Sequence, residues 1–244
     1  MKKKLLAIFL LVSSLIFSED RILSFEQITL DEKNELIYAI GEKTPYTGIV
    51  EDYKFFIENR FLEGRAIFKN GLMEGTFKVL YPNGKIARIM IYKNGKTEGI
   101  QKVYYESGII KRETSHKNGL VDGLMKSYYP NGNIQSEVLV KKDVRDGITR
   151  TYDPNGKLKV EISYQNGVQV GVQKGYYPSG KLKIELPLDK NGLVNGIVKI
   201  YYPSGKIMSE ESYKDDKLEG TVKKYDESGK ITSEEFFKNG NRIK

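Results

Sequence analysis

Apolar and polar residues alternate with a period of two along most of the chain, in short runs that are each bounded by glycine. After Gly84, Gly108, Gly132, Gly156, Gly180, Gly205 and Gly229 the second residue is always aliphatic: Ile86, Ile110, Ile134, Leu158, Leu182, Ile207 and Ile231. The eighth is usually aromatic or aliphatic, as at Tyr92, Val140, Tyr164, Leu188, Tyr213 and Phe237. In the companion runs Ile100 alternates with Tyr104, Leu124 with Tyr128 and Ile197 with Tyr201, and a lysine stands between the members of each pair. Such alternation predicts half-buried antiparallel strands, and the runs are too short and too glycine-punctuated for helices.

The punctuation is periodic. Intervals between the marker glycines are 24, 24, 24, 24, 25 and 24 residues. A second glycine set follows asparagine, at Gly95, Gly119, Gly167, Gly192 and Gly240, with Asp143 and Asp216 in the same place in two copies. A third set, also read as structural turn positions, follows four residues later: Gly75, Gly99, Gly123, Gly147, Gly171, Gly196 and Gly220. Glycine, asparagine and aspartate tolerate the positive φ that tight turns require, and Pro82, Pro130, Pro154, Pro178 and Pro203 pre-set φ ahead of the marker turn. The one extra residue between Gly180 and Gly205 falls around Pro187–Lys190 and predicts a bulge or a longer turn. Each unit is therefore one β-hairpin, and a lone hairpin cannot bury enough apolar surface to offset its ordering entropy. The fold class predicted is all-β, an elongated array of antiparallel hairpins sharing one long twisted sheet or open solenoid.

The same register predicts two charge rows. Glu113, Glu137, Glu161, Glu185, Glu210 and Glu234 share one slot, which Ile89 occupies in an earlier copy. Lys78, Lys102, Lys126, Arg150, Lys174, Lys199 and Lys223 share another, and the two rows are expected to interleave and solubilise a face. The boundaries read from the pattern are an apolar leader at 1–18, a non-repetitive cap at 19–44, irregular first repeats at 45–84, regular repeats at 85–240 and a tail at 241–244. The cap is expected to close the first sheet edge with a short strand or helical turn.

Composition removes several functional classes. Without cysteine there is no disulfide framework, thiolate nucleophile or thiolate metal site. The single histidine, His116, occupies the Tyr92 slot, which reads as packing rather than acid–base chemistry. Gly84-Lys85 and its copies lead into strands and lack the spaced glycines of a phosphate loop. No cofactor and no metal are expected. Net charge is +8, and removal of Lys2, Lys3 and Lys4 leaves 37 − 32 = +5, too mild and too mixed in sign for a nucleic-acid binder. Residues 1–18 combine a tri-lysine start with an apolar run and an acidic pair after it, the layout of a secretion signal cleaved after Ser18. Export to a periplasm, the cell surface or the medium is the expectation.

The string tyrosine-tyrosine-proline-x-glycine-lysine, fullest at Tyr128–Gly132 and Tyr176–Gly180, resembles the bacterial variant of the MORN (membrane occupation and recognition nexus) repeat over roughly residues 46–240. The resemblance implies an elongated sheet of successive hairpins without catalytic residues. It also implies roles in membrane-lipid association, dimerisation or scaffolding, and some exported relatives are associated with surface interaction. Read together, these features predict an exported, non-catalytic scaffold that binds a protein partner or itself. The alternative is peripheral attachment to anionic lipid or an envelope component. The candidate interaction surface consists of Tyr105, Tyr129, Tyr177 and Tyr202 with Lys102, Lys126, Lys174 and Lys199.

Overall fold

The structure is a computed structural model that describes residues 21–57 and 60–243; the leader at 1–18 lies outside the described residues. Among the described residues twenty strands form one open, mostly antiparallel sheet, and two more form a separate hairpin. From Gly99–Tyr104 onward each strand pairs with its successor in sequence, through Ile110–Lys117 and Leu120–Tyr128 to Ile231–Lys238 and Asn241–Ile243. The alternating runs thus form the all-β hairpin array that their period predicts, because each strand finds its partner on either side only a turn away.

Two turn types alternate along the two edges of the sheet. At one edge Asn94 and Gly95 both have positive φ, 50° and 74°, the two-residue turn whose twist matches the strands. At the other, Tyr81 N–H donates to the Lys85 carbonyl at 2.8 Å and Gly84 N–H to the Tyr81 carbonyl at 2.9 Å, closing a three-residue loop. The extra residue near Asp189 lengthens a turn: Asp189 N–H donates to the Leu193 carbonyl at 2.9 Å, so the two-residue turn of the other copies becomes a three-residue loop.

The third glycine set is not at hairpin turns. Gly123, Gly147 and Gly171 lie inside the strands Leu120–Tyr128, Val144–Tyr152 and Val168–Tyr176, where the register against the preceding strand shifts. Four-residue spacing from a true turn cannot distinguish a turn from such a bulge, since both select positive φ.

Ile22–Leu23 pairs in parallel with Gly48–Ile57 and closes the first edge of the sheet. A 3-10 turn at Phe25–Gln27 follows, and then the separate hairpin of Ile28–Asp31 with Leu36–Ala39. These elements supply the molecule's dense core: Ile37, Ala39 and Tyr46 pack with Val50, Phe68, Phe77, Val79 and Met90. Tyr46 is 1% exposed, and its hydroxyl donates to the Arg21 and Ile49 carbonyls at 2.6 and 2.8 Å, tying cap to sheet. Beyond this end the sheet is a single layer.

Candidate interaction face

One face of the array is defined by a continuous row of charges. Lys102 stands opposite Glu113, Glu113 opposite Lys126, and the alternation runs through Glu137, Arg150, Glu161, Lys174, Glu185, Lys199, Glu210 and Lys223 to Glu234. Ion pairs follow from the register, at 3.2 Å for Lys102–Glu113 and Lys126–Glu137, 2.8 Å for Arg150–Glu161 and 3.3 Å for Lys223–Glu234. Lys199 Nζ lies 3.9 Å from Glu210. The two charge rows therefore merge into one ladder whose charges cancel strand by strand.

Four tyrosines at the strand ends join this ladder. Tyr128 donates to Glu113 at 2.7 Å, Tyr152 to Glu137 at 2.9 Å, Tyr201 to Glu185 at 2.8 Å and Tyr225 to Glu210 at 2.9 Å. Burial, then the bond to Glu113, pushes the Tyr128 hydroxyl up to about 12, and the Tyr201 hydroxyl rises to about 12 in the same way beside Glu185. The bond from Tyr128 and the lysines beside it hold the Glu113 carboxyl below its ordinary range.

The second tyrosine of each Tyr-Tyr pair does something else. Tyr105 donates to the Tyr128 carbonyl at 2.7 Å, Tyr129 to Tyr152 at 2.8 Å, Tyr177 to Tyr201 at 2.6 Å and Tyr202 to Tyr225 at 2.8 Å. These four hydroxyls bind each unit to the next at the loop edge. The structure thus separates the two halves of the candidate surface: Lys102, Lys126, Lys174 and Lys199 stand in the ladder, whereas Tyr105, Tyr129, Tyr177 and Tyr202 lie just past the strand ends. Where aspartate replaces the second tyrosine the side chain turns inward, and Asp153 accepts from the Asn155 and Lys157 amides of its own loop, each at 2.9 Å.

A row of large apolar side chains is displayed on the ladder face. Ile100, Ile148, Val172 and Ile197 each precede a ladder cation by two residues, while Leu139 and Phe236 follow a ladder glutamate by two, so all six share the ladder face. They are 50%, 37%, 46%, 51%, 40% and 51% exposed, in that order. Alternation reveals which residues share a face, but it cannot tell a covered face from a bare one.

On the opposite face His116 stands over Gly99 in the aromatic slot, and its Nδ1 donates to the Thr114 carbonyl at 3.0 Å. That bond ties the ring to its own strand. Among the described residues no group of three or more His, Cys, Asp or Glu could hold a metal ion, and no helix is long and apolar enough to cross a membrane.

The MORN repeat variant profile matches seven consecutive segments, at residues 73–94, 97–118, 121–142, 145–166, 169–190, 194–215 and 218–239. The chain belongs to the MORN repeat variant family. Each matched MORN segment begins shortly after one turn and ends within the next turn on the same edge of the sheet, so the family unit is the hairpin seen here. The gap before residue 194 is where the longer loop at Asp189 sits. MORN repeats are in general non-catalytic units that bind proteins or membranes. No curated protein matches the chain.

Proposed function

We propose that this chain is an exported, non-catalytic scaffold whose ladder face holds a protein partner. The observation that carries this reading is the exposed apolar row that runs beside the ladder from Ile100 to Phe236, with serine or threonine between several of its members. Large apolar side chains displayed on one face mark protein contact, and the ladder beside them contributes no net charge that would select a polyanion. The partner is a protein segment with a matching apolar row, extended or helical, whose flanking charges of both signs meet the alternating ladder. Export rests on the tri-lysine and apolar leader in residues 1–18.

The reading is tested in intact cells with a photo-crosslinking residue at position 148 or, as the control at an exposed position of the opposite face, at position 224. A single dominant adduct is expected at 148, absent at 224 and lost when Ile100 and Ile197 are both changed to glutamate. Equal adducts at both positions, or none at 148, count against the scaffold reading. Cell fractionation with mass determination of the mature N-terminus tests export, and a full-length chain in the cytosol removes it. The alternative, attachment to anionic lipid or an envelope component through the lysine and tyrosine rows, has less support, because the ladder lysines face glutamates and the tyrosine hydroxyls bind backbone carbonyls. Sedimentation with anionic vesicles at low salt would revive it.

A further inference from the structure

The face opposite the ladder carries a charge that the chain's own residues leave uncompensated. Arg88, in the strand Ile86–Lys93, lies at the rim of the N-terminal core with its guanidinium 5.3 Å from the Phe55 ring centroid. One terminal nitrogen donates to Gln101 Oε1 at 3.0 Å, and Nε is sealed from solvent with no acceptor. Burial lowers its pKa, and the like charge of Arg112 adds to that effect. Among the described residues neither arginine makes an ion pair. A half-buried cation without a counter-charge is costly, and an anion from outside the chain would offset that cost.

The register places a second cation beside it. Arg88 stands opposite Val103, and Val103 opposite Arg112, so the two arginines share one row of one face, two strands apart. That separation is about 10 Å between Cα atoms, short enough for two arginine side chains to converge on one oxyanion. A hollow of about 210 Å³ opens beside Arg112 against Val103, Tyr105 and Ser127.

We propose that Arg88 and Arg112 form a binding site for a carboxylate side chain of a protein partner, at the rim of the cap. The site is separate from the ladder face and goes beyond the scaffold reading. A single side chain fits the geometry because Arg88 is half-buried against Phe55, so an occupant must project between the strands to reach both guanidinium groups, which the flat headgroup plane of a bilayer does not do. The planar guanidinium of Arg88 then meets its counter-charge, and Phe55 and Val103 supply an apolar wall.

Thermal unfolding of the full chain in glutarate against chloride at matched ionic strength tests the site. Glutarate is expected to raise the midpoint saturably, as a ligand of the folded state does. Arg112→Gln, at an exposed position, removes the like charge beside Arg88 and should raise the midpoint in chloride slightly, while it weakens the glutarate response at least tenfold. Arg88→Lys, which keeps the charge and loses the planar fork, should weaken it similarly. The proposal is overturned by the absence of a glutarate response, by a response that survives both substitutions, or by a response to inorganic phosphate or anionic vesicles without one to glutarate.

Discussion

Thr149 shows how far a single slot can drift inside a repeat. It stands between Val138 and Ile162 on the face opposite the ladder, 7% exposed, with its hydroxyl lacking a hydrogen-bond partner. Thr149→Val removes a buried unsatisfied group at nearly constant shape, and a gain of about 1 kcal/mol in denaturant unfolding is expected. The tyrosine–glutamate bonds make a second residue-scale prediction. Tyr128 and Tyr201 ionise near 10.0 when unfolded and at about 12 when folded, so the folded state holds those protons more tightly. Their contribution is complete below pH 10.0 and is lost as pH rises through about 12. Glu113 acts in the opposite sense: its lowered pKa contributes above 4.5 and the contribution disappears as pH falls below that value. Denaturant midpoints measured across pH should therefore form a plateau between these limits, with a shallower alkaline fall in Tyr128→Phe.

At the scale of the hairpin, turns and bulges set the register that the side chains then use. Asp143 and Asp216 replace the turn glycine and return something for the strained φ of 66° and 65°: they accept from the Val121 and Val194 amides of the preceding unit at 2.8 and 2.6 Å. Where the turn keeps glycine, Glu74 and Glu98 provide a comparable link by accepting from the Asn94 and Asn118 amides at 2.8 and 2.9 Å. The bulge glycines have no such substitute. At Gly147, φ is +119° and a Cβ would lie 2.9 Å from Leu139 Cδ1. Gly147→Ala should therefore cost more than the ~1 kcal/mol of an ordinary glycine exchange. A calorimetric midpoint equal to that of the parent chain would contradict the bulge account.

At the scale of the whole molecule the array behaves as a stack of neighbours, so its length should be adjustable in units of one hairpin. Excising residues 145–168 removes Arg150 and Glu161 together and brings Glu137 beside Lys174, which preserves the alternation. A cooperative, folded chain is expected, with a denaturant slope lower by roughly a tenth. Excising 157–168 alone would leave Arg150 beside Lys174 and should abolish cooperative unfolding, as circular dichroism during a denaturant titration would show. Much of this architecture was legible in sequence. The glycine intervals imposed the hairpin, and the placement of Lys102 and Glu113 in fixed slots implied interleaved charge rows. These are local matters, because turn geometry and two-residue alternation are decided within a few bonds. The third glycine set was misread as turns, since positive φ alone does not say whether the chain reverses. Long-range partners were hidden for a different reason. The hydroxyl of Tyr129 reaches a carbonyl 23 residues away, and the cap hairpin lies over Phe77 and Met90. Such contacts depend on how units stack, and no local signal encodes them. The sequence alone thus determined the repeat, its strands and its charge order. Only the tertiary structure decided which face is covered, which tyrosines are spent between units and where Arg88 is left without a counter-charge, because burial is a property of the assembled sheet.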